Sequence, residues 1–231
     1  MKRKMLEFGM AVVLLFCAYL VSRQGAAAIT ASTTTVKKDK VMVLDAGHRV
    51  SDPGKIGINN AKEKEINLQI TNKLKDLLEA NDYTVVMTRK TDAGLYQDSD
   101  SNKKIADMKK RCEIIQEVDP IITVSIHQNS YEQESVHGPQ IFYFSHSDQA
   151  KVLAESIQEA LNTGLKVDKP RVAKANDNYY LLKKTSCPTV IVECGFLSNQ
   201  AEANKLIDDA YQDELVTHIF KGVEDYIKQL K

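Results

Sequence analysis

Two of the five histidines in the 231-residue chain follow apolar runs that read as buried strands. His48 closes Leu44-Asp45-Ala46-Gly47-His48, and His127 sits in Val124-Ser125-Ile126-His127-Gln128-Asn129. A lone histidine is more often a hydrogen-bonded structural residue than a ligand, but two at equivalent strand ends of one sheet point to one rim, where a metal ion can bridge them. A catalytic zinc takes three protein ligands, often two His and one Glu, and keeps a fourth position for water. Glu63 and Glu65 start the next helix and either could fold back to that rim; spacing alone does not choose between them. Acidic residues are favoured at a helix N-terminus by the macrodipole in any case. Glu193 follows Thr189-Val190-Ile191-Val192, and a charge at the end of a core strand is costly unless it has a partner or a task. Beside zinc-activated water, such a glutamate serves as general base and then passes the proton to a leaving nitrogen. His137 and His146 lie in polar loops and His218 within a helix, which makes them weaker candidates.

Strands and helices must alternate to hold these residues. Val41 to Leu44 is a short apolar run ending in Asp45-Ala46-Gly47, followed by a helix with Ile66, Ile70, Leu74, Leu77 and Leu78 on one face. Tyr83 to Met87 reads as a second strand, and Ile105, Met108, Cys112, Ile115 and Val118 mark an amphipathic helix closed by Asp119-Pro120. Ile121 to Ile126, Gln140 to Phe144 and Thr189 to Val192 supply further strands. Leu153, Ile157 and Leu161 make a helix ending before Gly164, and Tyr211, Leu215, Ile219, Val223 and Tyr226 make the last one. This alternation predicts an α/β fold: a single domain with a twisted, mostly parallel open sheet flanked by helices on both faces. In such sheets ligands bind beyond the carboxyl ends of the strands. Asp45, His48, His127, Asn129 and Glu193 are the polar residues that this rule gathers at one rim.

Composition narrows the partners. The 31 basic and 31 acidic residues cancel, so no nucleic-acid partner is expected. Four of the basic and one of the acidic residues lie within residues 1–28, leaving 27 against 30, a net charge of −3. No Gly-rich phosphate loop and no Gly-x-Ser-x-Gly elbow is present. The chain has no Trp and is only 6% aromatic, which argues against extensive sugar stacking. Cys112, Cys187 and Cys194 are an odd set with no zinc-finger spacing, so their expected role is structural. Strand alternation places Cys194 on the opposite face from Glu193.

Residues 1–28 read as a signal peptide or N-terminal membrane anchor. Lys2, Arg3 and Lys4 precede an apolar run of 12 residues from Met10 to Val21, and Ala26-Ala27-Ala28 follows. The run is short for a span of roughly 20 residues. Either way the expected location is outside the cytoplasmic membrane, secreted or anchored. Residues 29–39 are polar and Ser/Thr-rich, a linker, and 40–231 form the catalytic domain.

These motifs together resemble the zinc-dependent N-acetylmuramoyl-L-alanine amidase family over about Val41 to Ile227. Leu44-Asp45-Ala46-Gly47-His48, followed by Asp52-Pro53-Gly54-Lys55-Ile56-Gly57, is similar to the family's first zinc motif. Glu63-Lys64-Glu65-Ile66-Asn67-Leu68 resembles the second and selects Glu63; Thr88-Arg89-Lys90-Thr91-Asp92 matches a further segment. The resemblance implies one Zn2+ on His48, Glu63 and His127, with Glu193, in Val192-Glu193-Cys194-Gly195-Phe196-Leu197-Ser198-Asn199, as catalytic residue. The family usually has glycine where this chain has Arg49. That side chain would contact an acidic peptide stem or point to solvent, and Asn129 is the second candidate substrate contact.

The implied reaction is hydrolysis of the amide between N-acetylmuramic acid and L-alanine in peptidoglycan. The chain looks most like the germination-specific amidases of spore-forming bacteria. That resemblance implies spore cortex maturation in the intermembrane space, a separate muramic acid deacetylase that completes muramic-δ-lactam, and an accessory spore-envelope protein. A vegetative wall amidase, a peptidase acting within the stem, and a silent wall-binding scaffold are the competing expectations. Some division amidases insert a helix that blocks the metal; Ser145 to Asn178 has room for one ordinary helix and a loop, so self-blocking is not expected.

Overall fold

The computed structural model describes residues 40–49 and 52–230. The export segment expected at 1–28 and the linker at 29–39 lie outside the described residues. Among those described, no helix is long and apolar enough to cross a membrane.

The elements run β1 (Val41–Ala46), α1 (Glu63–Glu79), β2 (Thr84–Met87), α2 (Lys103–Val118), β3 (Ile122–Asn129), β4 (Gln140–Tyr143), α3 (Asp148–Gly164), β5 (Lys174–Ala175), α4 (Tyr180–Lys184), β6 (Thr189–Phe196), α5 (Gln200–Leu206) and α6 (Asp209–Gln229). They build one open sheet of order β2-β1-β3-β6-β4-β5. All pairings are parallel except β4 against β6.

Strand alternation divides the core between two faces. Met42 and Leu44 of β1 join Ile122, Val124, Ile126, Val190 and Val192 beneath α1, α3, α5 and α6. Val43 points the other way, onto Cys112 and Ile115 of α2 and Leu181 of α4. With apolar cover on both sides the central strands are continuously buried, as parallel strands between helical layers must be. The α1 stripe Ile66, Ile70, Leu74 and Leu78 is buried as its spacing predicts. Ile105, expected on the apolar face of α2, is instead 52% exposed, because the buried face of that helix begins at Asp107, Arg111 and Cys112. Cys112 and Cys194 are buried free thiols, and Cys187 is half-buried and also unpaired.

Two strands outrun their apolar runs. β3 continues through His127 to Asn129 and β6 through Glu193 to Phe196, because His127 pairs in register with Glu193 before the ladder shifts between His127 and Asn129. These polar residues therefore lie within strands, not after them. The short elements β5, α4 and α5 have no signature in the hydrophobic pattern. The connection from β4 to β6 carries one long helix, α3, which packs against α6 and contributes Leu153, Ile157 and Leu161 to the core away from the polar rim.

Candidate active site

The carboxyl ends of β1, β3 and β6 meet at one rim. There His48, Glu63, His127, Asn129 and Glu193 line a cavity of about 400 Å³, together with Asp52, Gly54, Lys55, Lys104, Gln128, Ser130 and Tyr179.

Glu63 is brought to the rim by the turn before α1. The helix has no side-chain N-cap, and its first N–H groups are taken by the preceding loop: Glu63 N donates to Lys55 O at 3.0 Å and Lys64 N to Pro53 O at 3.1 Å. That closure folds the first turn back over β1 and β3. The carboxylate is then fixed by backbone donors, Lys55 N on Oε2 at 2.7 Å and Gln128 N on Oε1 at 3.1 Å. Glu65 faces solvent and pairs with Lys62, so the turn itself separates the two glutamates.

Glu63 Oε1 stands 3.1 Å from both His48 Nε2 and His127 Nδ1. One ligand atom from each of the three residues lies within 4.8 Å of the others. Two imidazoles and a carboxylate at this spacing fit a small cation with nitrogen and oxygen preference. Burial alone would raise Glu63, but hydrogen bonds from His127 and His48 hold its carboxyl well below the usual range. Glycine is required beside the cluster. A Cβ at Gly47 would collide with the His127 ring, and at Gly54, where φ is +69°, it would collide with Glu63 and His48.

His48 itself has φ +62°, a left-handed conformation uncommon outside glycine. A frame of buried cations holds it. Arg111 is 2% exposed and donates to Asp45 Oδ1 at 2.6 Å, Ala46 O at 2.7 Å, Asp107 Oδ2 at 2.8 Å and His48 O at 2.9 Å. Arg89 donates to Ala46 O, Gly47 O and Lys64 O at 2.8–2.9 Å. Every carbonyl from Ala46 to His48 is thereby held by a guanidinium. Asp45 also accepts from Ser125 Oγ and Thr88 Oγ1. Burial would raise it, but Arg111 and these hydroxyls hold it far below the ordinary carboxylate range. On the cavity side, His48 Nδ1 lies 3.2 Å from Asp52 Oδ1, which leaves Nε2 turned to Glu63.

Glu193 is 6% exposed, and its Oε2 is buried without a partner among the described residues. Its Oε1 accepts from Tyr179 Oη at 3.5 Å. Burial pushes Glu193 up to about 6, opposed by His127 and reinforced by Glu63.

The structure brings His48, Glu63, His127, Asn129 and Glu193 to one cavity. It does not bring Arg49 there. Arg49 is 3% exposed, with Nε 3.1 Å from Asp107 Oδ1 and its guanidinium 4.4 Å over the Tyr96 ring. The turn from Arg49 to Asp52 closes with paired backbone bonds, and the buried Asp107 carboxylate captures the guanidinium. Arg49 is thus a clamp on the loop, not a cationic contact in the cleft. His137 pairs with Asp168 away from this cavity. Sequence reasoning gave no role to Arg89, Arg111, Asp52 or Tyr179; Arg89 and Asp52 carried a signal, as parts of the Thr88-Arg89 and Asp52-Pro53-Gly54 segments, and Arg111 and Tyr179 carried none.

The model of the N-acetylmuramoyl-L-alanine amidase family matches residues 42–225. The germination-specific N-acetylmuramoyl-L-alanine amidase of Bacillus subtilis is 31% identical over 193 residues, 82% of this chain and 81% of that protein. The solved CwlD amidase from Clostridioides difficile, in complex with the GerS lipoprotein, is 37% identical, covering 82% of this chain and 99% of that one at a TM-score of 0.80. The catalytic domain of CwlV, an N-acetylmuramoyl-L-alanine amidase from Bacillus (Paenibacillus) polymyxa var. colistinus, is 27% identical at a TM-score of 0.72, covering 82% of this chain and 98% of that one. Matched through all its long elements by that model, and through its fold by solved members, the chain belongs to the N-acetylmuramoyl-L-alanine amidase family of peptidoglycan hydrolases.

Proposed function

We propose that this amidase is zinc-dependent, that His48, Glu63 and His127 hold the ion, and that Glu193 is the catalytic acid/base. The observation that carries the proposal is the buried Glu193 carboxylate, with one unpartnered oxygen, lining the same cavity as the three-residue cluster. Zinc supplies, when bound, Lewis acidity toward the scissile carbonyl and a lowered pKa for the attacking water. Glu193 takes a proton from that water as its oxygen bonds to the lactyl carbonyl carbon of N-acetylmuramic acid. It then delivers the proton to the alanine nitrogen as the C–N bond breaks, and the new carboxyl group gives up the water's second proton to the released amine, leaving a carboxylate on the sugar and an ammonium on the stem. A carboxyl raised by burial toward about 6 is suited to both transfers. Asn129 is assigned as a contact for the substrate, a reading supported by its position in the lining of the same cavity.

We assign the activity to spore cortex maturation, in which peptides are stripped from muramic acid so that a separate deacetylase can form muramic-δ-lactam. Likeness to the germination-specific amidase of B. subtilis and to the CwlD amidase of C. difficile supports this assignment. The latter structure is a complex with a lipoprotein, which supports an accessory envelope protein here as well. The basic start and apolar run before residue 28 support export, with action in the spore intermembrane space.

The test is product analysis. Full-length protein with zinc, and its Glu193→Ala variant, are incubated with purified peptidoglycan and with cortex from spores lacking the amidase. Stem peptides with a free L-alanine amine, released by the first protein and not by the second, are expected. Cleavage inside the stem would overturn the amidase assignment, and normal δ-lactam content in spores lacking the protein would overturn the cortex role.

A further inference from the structure

Tyr179 is unaccounted for by the metal cluster and by the scissile chemistry, yet it lines the same cavity. It sits just before α4, the short helix leading into β6, and its ring packs edge-on against Phe142 of β4 at 5.6 Å between centroids. β4 is the strand paired antiparallel to β6 across Glu193, where Gln140 lies opposite Glu193 and Phe142 opposite Ile191. The ring is therefore anchored to the strand next to Glu193, and its hydroxyl reaches over to that carboxylate.

Tyr179 Oη is the one hydrogen-bond donor found for Glu193 among the described residues. The other carboxylate oxygen has none. A general base that must receive a proton on one oxygen gains from having the second one anchored, because a glutamate side chain has three rotatable bonds and no intrinsic preference for the productive rotamer. We propose that Tyr179 is a positioning residue that anchors Oε1 of Glu193, so that Oε2 faces the attacking water; this rests on the assignment of Glu193 as acid/base. The 3.5 Å separation exceeds the usual 2.5–3.0 Å of an O–H···O bond, and catalytic hydrogen bonds of this kind shorten when the Michaelis complex forms. Burial and the neighbouring Glu193 push the phenol up to about 12, which keeps it a donor throughout the working range.

The discriminating variant is Tyr179→Phe, which keeps the ring and its packing on Phe142 and deletes the hydroxyl alone. The full-length wild type, Tyr179→Phe, Glu193→Gln and the double variant are compared on soluble glycan fragments bearing stem peptides. The readouts are kcat, KM and zinc affinity by competition with a chromophoric chelator. The expected result is a fall of about tenfold in kcat for Tyr179→Phe, with KM and zinc affinity unchanged. In the Glu193→Gln background the same substitution should cost nothing further, because its effect passes through Glu193. An unchanged kcat would overturn the proposal. A rise in KM alone would make Tyr179 a substrate contact, and a parallel loss of zinc affinity would make it scaffold. A full tenfold loss retained in the double variant would show that it acts without Glu193. Failure of the wild type to release L-alanine-terminated stems would instead count against the parent assignment, so the two failures separate cleanly.

Discussion

Replacing Arg111 with methionine removes a side chain of similar reach that carries four hydrogen bonds at 2.6–2.9 Å, two of them to buried carboxylates. Asp45 would keep Ser125 and Thr88, and Asp107 would keep Arg49 and the Leu95 amide. Neither carboxylate is abandoned entirely. Breaking a buried ion pair from one side costs about 3–5 kcal/mol, and these surviving partners argue for the lower end, about 3 kcal/mol. For a domain of this size each kcal/mol moves the melting temperature by about 2–4 °C, so a fall of about 10 °C is expected by differential scanning calorimetry. The second consequence reaches the metal cluster. The His48 carbonyl loses the donor that holds its left-handed backbone. Support one layer behind a ligand is worth about 10–100-fold in metal affinity, and zinc binding should weaken by about tenfold because Arg89 still holds Ala46 and Gly47. Arg111→Lys separates the two effects. A lysine keeps the charge between Asp45 and Asp107 but cannot reach four acceptors at once. It should recover most of the melting temperature and little of the zinc affinity. A fall of less than about 3 °C for methionine, or zinc affinity fully restored by lysine, would refute the idea that a buried guanidinium shapes the ligand loop.

Two further outcomes follow from the same frame. Asp52→Ala removes the carboxylate that accepts from His48 Nδ1, so the ring loses its fixed tautomer; zinc affinity should fall about 10–100-fold in chelator competition, while the melting temperature of the metal-free protein changes little. Asp45 has a folded pKa held below its unfolded value of about 3.9, so its contribution is complete above that pH and is lost as pH falls through the folded value. Urea midpoints should therefore decline below about pH 4 in the wild type, and a flat profile down to about pH 3 would show that Asp45 is not the titrating anchor.

What was legible in the sequence follows the reach of each kind of signal. Burial on a helix face repeats along the chain, so the α1 and α6 stripes could be read directly. Strand length is different, because it depends on the neighbouring backbone. Nothing in the side chains after Ile126 or Val192 announces that His127 and Glu193 pair with each other, so both strands looked shorter than they are. His48, His127 and Glu193 were recognisable because each sits just past an apolar run, where a polar side chain needs a reason, whereas Glu63 follows a polar loop and was singled out only by the family resemblance. Arg111 and Asp107 had no such mark, since a charged pair spaced four apart on a helix ordinarily reads as a solvated face.

Arg49 shows most sharply where reading by local context fails. Beside a metal motif a long cation suggests a contact for an acidic substrate, but the destination of such a side chain is set by whichever buried carboxylate lies within reach, and that carboxylate is 58 residues away in sequence, at Asp107. Asp107 binds Arg49, Arg111 and the Leu95 amide together. One carboxylate thus ties the ligand loop, α2 and the segment carrying Tyr96 into a single wall behind His48. The chemistry at the rim is written in residues that a motif can display, whereas the rigidity that places them comes from charges paired across the fold.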